Sequence, residues 1–232
     1  LMANRPADLL SLESDLWKEG FRTVGGVDEV GRGPLAGPVV AACVVLPQDF
    51  SVSGVDDSKK LTVKKRERLF DQIMEGADQV GIGIVGEKTI DAMNILNASL
   101  KAMFKAVQKL KNVPEFILVD GNQRIPNLPL PQMPVIKGDS KSLSIAAASI
   151  VAKVTRDRIM LKYHEEYPEF CFADHKGYGT RTHVEALKAF GPCRIHRRSF
   201  KLVRMCQADQ TDLDTRRSQL LPVSPSALRE GD

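Results

Sequence analysis

Hydrophobic positions along the chain recur with two different periods, and the period changes from one segment to the next. The segments "RTVGGVDEV" and "GPVVAACVVLP" are rich in valine and are separated only by Gly and Pro, which predicts an antiparallel hairpin. A third strand is predicted in "QVGIGIVG", although Gly81 and Gly83 weaken it. Two further strands are predicted in "EFILVDG", which has the apolar run of a buried parallel strand, and in "MPVIKGD".

Helical spacing of apolar residues fills the intervals between these strands. Helices are predicted in "ADLLSLESDLWKEG", "DDSKKLTVKKRERLFDQIM", "TIDAMNILNASLKAMFKAVQKLKN" (with a break near Asn97) and "SKSLSIAAASIVAKVTRDRIMLKYHEEYP". This order predicts an α/β fold with a mixed five-stranded sheet and a C-terminal helical extension. We expect an N-terminal helical segment over residues 1–20, a main domain over 21–205 and a disordered tail over 206–232.

Charge is spread unevenly over a chain whose composition, 43% hydrophobic and 27% charged, is ordinary for a soluble globular protein. Residues 176–204 contain eight Lys or Arg against one acid, Glu185. Such a segment suits a polyanion, although a charge run by itself is more often a solvated helix face. The four cysteines form no C-x-x-C pair, which argues for a reducing compartment and against a zinc site or a disulfide scaffold. Because no long apolar span or signal-type N-terminus is found, we expect a cytoplasmic protein without a membrane partner.

Four carboxylates stand at the ends of predicted elements. Asp28 and Glu29 end the first strand, Asp120 ends the fourth, and Asp139 precedes the Ala-rich helix. Strand ends expose side chains while the scaffold holds them still, and carboxylates that converge there repel one another unless cations share them. Mg²⁺ and Mn²⁺ take such oxygen ligands, so the sequence predicts a divalent metal site. The alternative for Asp120 and Asp139 is a turn residue and a helix cap.

The glycine-rich run "GRGPLA" satisfies the dinucleotide-binding pattern G-x-G-x-x-G/A. That fingerprint requires a helix immediately afterwards, whereas a strand is predicted here, so we reject this interpretation. Instead, Gly31, Arg32 and Gly33 are predicted to make main-chain groups accessible to a ligand. Such contacts could detect a ribose 2′-hydroxyl. A tight turn within the hairpin is the alternative.

Seven motifs together resemble the bacterial ribonuclease HII family, from about Phe21 to about Lys201. They are "GVDEVGRGPLAGPVVAACVVLP", "DDSKKLT", "NILNASLKAM", "LVDGN", "KGDSKSLSIAAASIVAKVTRD", "HKGYGT" and "HRRSF". The resemblance implies an RNase H-like fold and a metal-dependent endonuclease that cleaves the RNA strand of RNA–DNA hybrids. It also implies incision on the 5′ side of single ribonucleotides embedded in duplex DNA, leaving 3′-hydroxyl and 5′-phosphate ends. A monomer is expected on the same basis.

The resemblance also assigns site residues. The family's acidic tetrad falls on Asp28, Glu29, Asp120 and Asp139, its 2′-hydroxyl sensor on Gly31, Arg32 and Gly33, and its sugar-stacking tyrosine on Tyr178. We further assign phosphate contacts, which position a duplex without reading its sequence, to Lys59, Lys60, Lys176, Arg197 and Arg198.

Two Mg²⁺ or Mn²⁺ ions about 4 Å apart would activate water and stabilise the leaving oxygen, so no nucleophilic side chain is needed. His164, His175, His183 and His196 accordingly form no evident triad, and structural or phosphate-contacting roles are expected for them. Two other functions stay open. One is a metal nuclease of the same fold, or a transposase-like enzyme, that needs no ribose. The other is a non-catalytic nucleic-acid-binding protein.

Overall fold

Five strands form one mixed sheet in the computed structural model, which describes residues 9–50 and 61–207. The strand order is β3-β2-β1-β4-β5; β1 pairs antiparallel with β2 and parallel with β4. The predicted hairpin and mixed five-stranded sheet are therefore confirmed. The strands are β1 (Val24–Val30), β2 (Val39–Val45), β3 (Gln79–Val85), β4 (Phe116–Asp120) and β5 (Gln132–Val135).

Helices cover both faces of this sheet because β2 is apolar on both sides. Its Val40, Ala42 and Val44 pack with α2 and α5, whereas its alternate residues pack with α3 and α4. The helices are α1 (Ser11–Lys18), α2 (Val63–Gly76), α3 (Glu87–Met93), α4 (Ile95–Gln108), α5 (Leu143–Glu166), α6 (Phe172–His175) and α7 (Arg181–Phe190). Short 3₁₀ turns are found at Gly138–Ser140 and Pro168–Phe170, and residues 201–207 are helical. In the part of the chain that the structure describes, no helix has the length and apolarity needed to cross a bilayer.

The break in the long helical stretch lies at Asn94 rather than near Asn97. Asn94 has a φ of 70°, which ends α3, and its side-chain oxygen accepts a hydrogen bond from the Asn97 amide at 3.0 Å. Asn is a favoured N-cap, so one residue both interrupts the stretch and starts α4.

The two glycines of β3 allow α4 to lie directly on the sheet. A β-carbon on Gly81 would come within 2.1 Å of the Ala106 carbonyl oxygen, and one on Gly83 within 2.0 Å of the Ala102 carbonyl oxygen. The glycines that weakened the strand prediction therefore serve helix packing.

Helix α5 is the central helix of the fold. A β-carbon on Gly26 of β1 would lie 2.2 Å from the Ser144 carbonyl carbon, so the first turn of α5 rests on β1. Ser142 caps this helix by accepting a hydrogen bond from the Ile145 amide at 3.1 Å. The buried Glu13 of α1 accepts hydrogen bonds from the Ser142 hydroxyl at 2.6 Å and the Ser144 amide at 2.9 Å. The N-terminal helix is thereby attached to the start of α5.

The connection between β1 and β2, residues 31–38 and called here the β1–β2 loop, is hydrogen bonded to the C-terminal helical region. The Leu35 amide donates to the Gly177 carbonyl at 2.8 Å, and the Gly37 amide donates to the Ile195 carbonyl at 2.9 Å. The Arg197 amide donates in turn to the Leu35 carbonyl at 2.9 Å. Segments far apart in sequence therefore hold this loop on two sides. Most of the predicted tail, residues 208–232, and the segment 51–60 lie outside the described residues.

Candidate active site

Three of the four predicted carboxylates converge at the carboxyl ends of the neighbouring strands β1 and β4. Among the described residues, a single group of potential metal-binding side chains has all its ligand atoms within 4.8 Å of one another, and it consists of Asp28, Glu29 and Asp120. The parallel pairing of β1 with β4 ends at Val27 opposite Val119. The next residue on each strand is an aspartate, so the two carboxylates stand where the strands part.

Asp28 is the buried member of this group, with 6% of its surface exposed. Burial raises the pKa of Asp28 well above its usual range, and the nearby charges of Glu29 and Asp120 raise it further. The Asp28 carboxylate accepts a hydrogen bond from the Glu29 amide at 2.6 Å, which opposes the rise only partly. An ionised Asp28 is therefore destabilised until a cation shares its charge.

Glu29 is the member of this group that contacts the β1–β2 loop. Its carboxylate accepts a hydrogen bond from the Arg32 guanidinium at 3.2 Å, and half of the Arg32 side chain is exposed. Burial nevertheless raises the pKa of Glu29, and Asp120 adds to the rise while Arg32 opposes it. The same carboxylate thus contacts a cationic side chain and belongs to the group that favours a metal ion.

Asp139 does not belong to this group, although the turn that carries it is hydrogen bonded to Asp120. It lies on the 3₁₀ turn after β5, where the amide of its neighbour Gly138 donates to the Asp120 carboxylate at 2.7 Å. This hydrogen bond ties the turn that carries Asp139 to the end of β4. The role of Asp139 as a fourth ligand stays a prediction.

A small cavity of about 70 Å³ opens between the carboxylates and α4. Glu29, Arg32 and Asp120 line it, and Ser99 and Asn122 are among the other lining residues. Sequence reasoning noted the motifs "NILNASLKAM" and "LVDGN" without giving Ser99 or Asn122 a role. Their position beside the carboxylates depends on the packing of α4 against the sheet.

The β1–β2 loop brings Gly33 opposite Tyr178, although the two are far apart in sequence. A β-carbon on Gly33 would lie 3.6 Å from Cε1 of the Tyr178 ring, and 43% of the Tyr178 surface is exposed. The ring therefore lies beside the glycine, and part of its surface is available. Gly31 has a φ of 95°, which favours glycine and turns the chain at the end of β1.

Arg197 is fully buried, so its side chain does not suit the predicted phosphate contact. Its guanidinium donates to the carbonyl oxygens of Gly31 at 2.6 Å, Pro34 at 2.7 Å, and Arg32 and Gly37 at 3.0 Å each. We assign it instead to holding the loop. The prediction from the run of basic residues did not separate outward from inward side chains.

A second buried guanidinium, that of Arg156 on α5, holds the far half of the same loop. It donates to the carbonyl oxygens of Pro38 at 2.9 Å, Lys176 at 3.0 Å and Ala36 at 3.1 Å. Burial lowers the pKa of Arg156 to about 10 and, with the Arg156 charge contributing, that of Arg197 to about 9. Both guanidiniums therefore remain cationic at neutral pH. Sequence reasoning assigned no role to Arg156.

The other predicted phosphate contacts differ in their surroundings. The Lys176 ammonium is partly buried and donates to the Ala173 carbonyl oxygen. The Arg198 side chain is exposed and donates to Gln207 at 3.2 Å. Lys59 and Lys60 lie outside the described residues. All four stay predictions.

Three of the four histidines form one cluster, in which His183 and His196 are buried and His175 is half-buried. His183 Nδ1 lies 2.8 Å from the Tyr178 carbonyl oxygen, and its Nε2 lies 2.9 Å from His196 Nε2. His196 Nδ1 accepts a hydrogen bond from the Cys193 amide at 3.0 Å. His175 stacks on His183 with ring centroids 4.6 Å apart. Of the two roles expected for the histidines, structural or phosphate-contacting, the contacts of His183 and His196 support the structural one.

These contacts determine which nitrogen carries each proton. A carbonyl can only accept, so His183 Nδ1 carries a hydrogen and its Nε2 is an acceptor. An amide can only donate, so His196 Nδ1 is the acceptor and its Nε2 carries the hydrogen. Both rings are therefore neutral. Burial lowers the pKa of His183 to about 4 and that of His196 to about 3, and the neighbouring ring contributes to the second shift.

Known proteins resemble this chain in sequence over most of its length. The model of the family described as Ribonuclease HII matches residues 25–203. The chain is 56% identical over 188 residues to the ribonuclease HII of Caldanaerobacter subterraneus subsp. tengcongensis, covering 81% of this chain and 78% of that one. It is 53% identical over 196 residues to the ribonuclease HII of Geobacter metallireducens, covering 84% and 92% of the two chains.

Solved structures extend the likeness to three dimensions. The crystal structure of ribonuclease H2 from Pyrococcus horikoshii OT3 is similar with a TM-score of 0.67 at 31% identity, over 80% of this chain and 97% of that one. A ribonuclease HII solved in complex with PCNA, from Archaeoglobus fulgidus, has a TM-score of 0.61 at 27% identity, over 75% and 92%. The carboxylates at the parting of β1 and β4 thus occur in a chain whose sequence and fold agree with the same relatives, and the chain belongs to the ribonuclease HII family.

Proposed function

We propose that this protein is a metal-dependent endonuclease that hydrolyses the RNA strand of RNA–DNA hybrids. It also incises duplex DNA on the 5′ side of a single embedded ribonucleotide and leaves 3′-hydroxyl and 5′-phosphate ends. The observation that carries the proposal is the position of the Asp28–Glu29–Asp120 group beside the β1–β2 loop, to which the Glu29–Arg32 contact of 3.2 Å connects it. A phosphodiester and its adjacent sugar could then be held at one place.

The donor set suits hard divalent cations. It offers carboxylate oxygens alone, and burial together with mutual repulsion makes the ionised form of Asp28 costly without a cation. We assign Asp28, Glu29, Asp120 and Asp139 as the residues that would hold Mg²⁺ or Mn²⁺. A ribonuclease HIII of similar fold, with a TM-score of 0.62 at 20% identity, has been solved in complex with Mn²⁺. When bound, such ions supply an activated water and compensate charge on the phosphate.

Other residues of the chain position the carboxylates and bind the sugar and the phosphates of the substrate. The Gly138 amide orients the Asp120 carboxylate, and α5 keeps the end of β1 in place. Gly31, Arg32 and Gly33 present main-chain groups to the ribose, while Tyr178 offers a ring on which a sugar can stack. The exposed basic residues of 176–204 contact phosphates and carry no sequence information, so cleavage should be nearly independent of base identity.

The deciding experiment uses a duplex with one ribonucleotide and the same duplex made entirely of DNA, each with Mn²⁺ and with EDTA. We expect a single incision 5′ of the ribonucleotide, dependent on the metal, with a 3′-hydroxyl and a 5′-phosphate. Equal cutting of both duplexes would instead indicate a metal nuclease that needs no ribose.

A substitution tests the metal site within the same assay. Asp28→Asn should abolish detectable cleavage while duplex binding is kept or improved, because a negative charge near phosphate is removed. Asp71→Asn, an exposed position on α2, is the matched control and should cleave as the unmodified protein does. Normal cleavage by Asp28→Asn would refute the assignment, and binding without any cleavage by the unmodified protein would favour a non-catalytic role.

A further inference from the structure

Two buried cations hold the β1–β2 loop, and among the described residues neither is hydrogen bonded to a carboxylate. Arg156 and Arg197 are both fully buried, and together they donate to seven carbonyl oxygens, six of which belong to the loop. Burying a guanidinium is costly unless its hydrogen-bonding groups are satisfied. A fold that places two of them at one short loop restrains that loop strongly.

The contacts of Arg197 also set the direction of particular amides. In a trans peptide the C=O and N–H bonds point in opposite directions. The Gly31 carbonyl shares its peptide with the Arg32 amide, and the Arg32 carbonyl shares its peptide with the Gly33 amide. Because Arg197 binds both carbonyls, at 2.6 Å and 3.0 Å, the two amides point away from the guanidinium.

The peptide between Pro34 and Leu35 has the same geometry, and its amide has an acceptor within the protein. Arg197 binds the Pro34 carbonyl at 2.7 Å, and the Leu35 amide of that peptide donates to the Gly177 carbonyl at 2.8 Å. For the amides of Arg32 and Gly33, by contrast, the described part of the chain provides no acceptor, and both residues are exposed. As far as the described residues go, both amides are therefore available to donate to an oxygen outside the protein.

We propose that Arg197 is the positioning residue for ribose discrimination, because it aims the Arg32 and Gly33 amides at the sugar hydroxyl. This inference rests on the proposed function and adds a residue that does not itself touch the substrate. Arginine is required because a planar fork can bind several carbonyls at once, whereas lysine keeps the charge and loses that geometry. A site built around a hydroxyl discriminates by leaving its own donors unpaired when the hydroxyl is missing.

The test compares Arg197→Lys with the unmodified protein in the presence of Mn²⁺. The measured quantities are kcat/KM for the duplex with one ribonucleotide and Ki for the all-DNA duplex as a competitor, both normalised to the fraction of protein that binds the DNA duplex. We expect kcat/KM to fall about tenfold or more, which corresponds to about 1.4 kcal/mol, while Ki stays within about twofold. If the substitution only lowered the stability of the fold, the fraction of active protein would fall, but the normalised kcat/KM and Ki would stay unchanged.

Arg66→Lys is the matched control, because Arg66 is also buried and donates to a carbonyl, that of Leu61 at 2.9 Å, on a different element. It should leave both values within about twofold. A folded Arg197→Lys protein with unchanged kcat/KM would overturn the inference. If the unmodified protein cut both duplexes equally, the proposed function would fail instead.

A second measurement covers the case in which Arg197→Lys does not fold. In the unmodified protein with EDTA, amide hydrogen exchange at Arg32 and Gly33 should be slowed more by the ribonucleotide duplex than by the all-DNA duplex. Equal protection by the two duplexes would also overturn the inference.

Discussion

Acid should destabilise this protein through the neutral pair of His183 and His196. The pair is connected by one hydrogen bond of 2.9 Å between two Nε2 atoms, which a single hydrogen can occupy. Protonating His183 places a second hydrogen between the two Nε2 atoms, and protonating His196 places a hydrogen on Nδ1, opposite the Cys193 amide that already donates to it. The folded state therefore resists proton uptake, as the lowered pKa values of both rings express.

The loss of unfolding free energy on acidification can be calculated from the linkage between proton binding and folding. In the unfolded chain each ring has an ordinary pKa near 6.5, whereas the folded values are about 4 for His183 and about 3 for His196. Because the unfolded state binds more protons below pH 6.5, stability is complete above that pH and is lost as the pH falls. Between pH 7 and pH 5 the loss is about 2 kcal/mol per ring, or about 4 kcal/mol for the pair. For a chain of this size that corresponds to a fall in Tm of roughly 10 °C.

The assay is denaturant unfolding at pH 7 and pH 5, in EDTA, of three proteins. These are the unmodified chain, the double variant His183→Gln with His196→Gln, and His164→Gln, whose ring lies outside the cluster. The double variant should be less stable at pH 7 yet lose about 4 kcal/mol less on acidification. His164→Gln serves as the control for replacing a histidine outside the cluster.

Comparing the three proteins with one another cancels the contribution of Asp28 and Glu29 to the pH dependence of stability. Burial raises the pKa values of Asp28 and Glu29, so these groups favour the folded state as the pH falls, in the opposite direction to the histidines. All three proteins contain them, and the difference between proteins isolates the cluster. Equal losses of unfolding free energy in the unmodified chain and the double variant would refute the reasoning.

Three further outcomes follow from packing and charge. Gly83→Ala should destabilise the fold by about 3 kcal/mol in denaturant unfolding, because its β-carbon would lie 2.0 Å from the Ala102 carbonyl oxygen. Gly33→Ala should leave Tm within about 3 °C, since its β-carbon would lie at an ordinary contact distance of 3.6 Å from Tyr178. The same substitution should lower the rate of cleavage at a ribonucleotide at least about tenfold, because the added methyl group occupies space beside the Tyr178 ring. Duplex binding should weaken as salt rises, with a log–log slope of about −0.9 per phosphate neutralised, and a flat response in a salt titration would remove the role of the segment 176–204.

The arrangement of strands and helices was largely predictable from the sequence. Period-two and apolar runs predicted all five strands because β2 is buried on both faces and the remaining strands are bounded by Gly, Pro or Asp. The Ser142 cap and Ala-rich run predicted α5 for a similar reason, since capping and helix propensity act over a few neighbouring residues. The helix break was placed three residues late because a positive φ at Asn94 leaves no periodic signal.

The site was predictable in part. Asp28, Glu29 and Asp120 could be found because strand ends are local features and adjacent acids at such an end need a shared cation. The run of basic residues could not show that Arg197 points inward, since charge alone does not indicate direction.

The sequence by itself determined the elements, the acidic residues at their ends and the family, because these depend on periodicity, local propensity and motifs. The tertiary structure alone decided which groups meet. It placed Asp28 beside Asp120, Tyr178 opposite Gly33, and the Arg197 guanidinium beneath the loop. Contacts of this kind join segments separated by roughly 90 to 170 residues, and they form only when packing of the whole sheet and its helices compensates the entropy of closing such long loops.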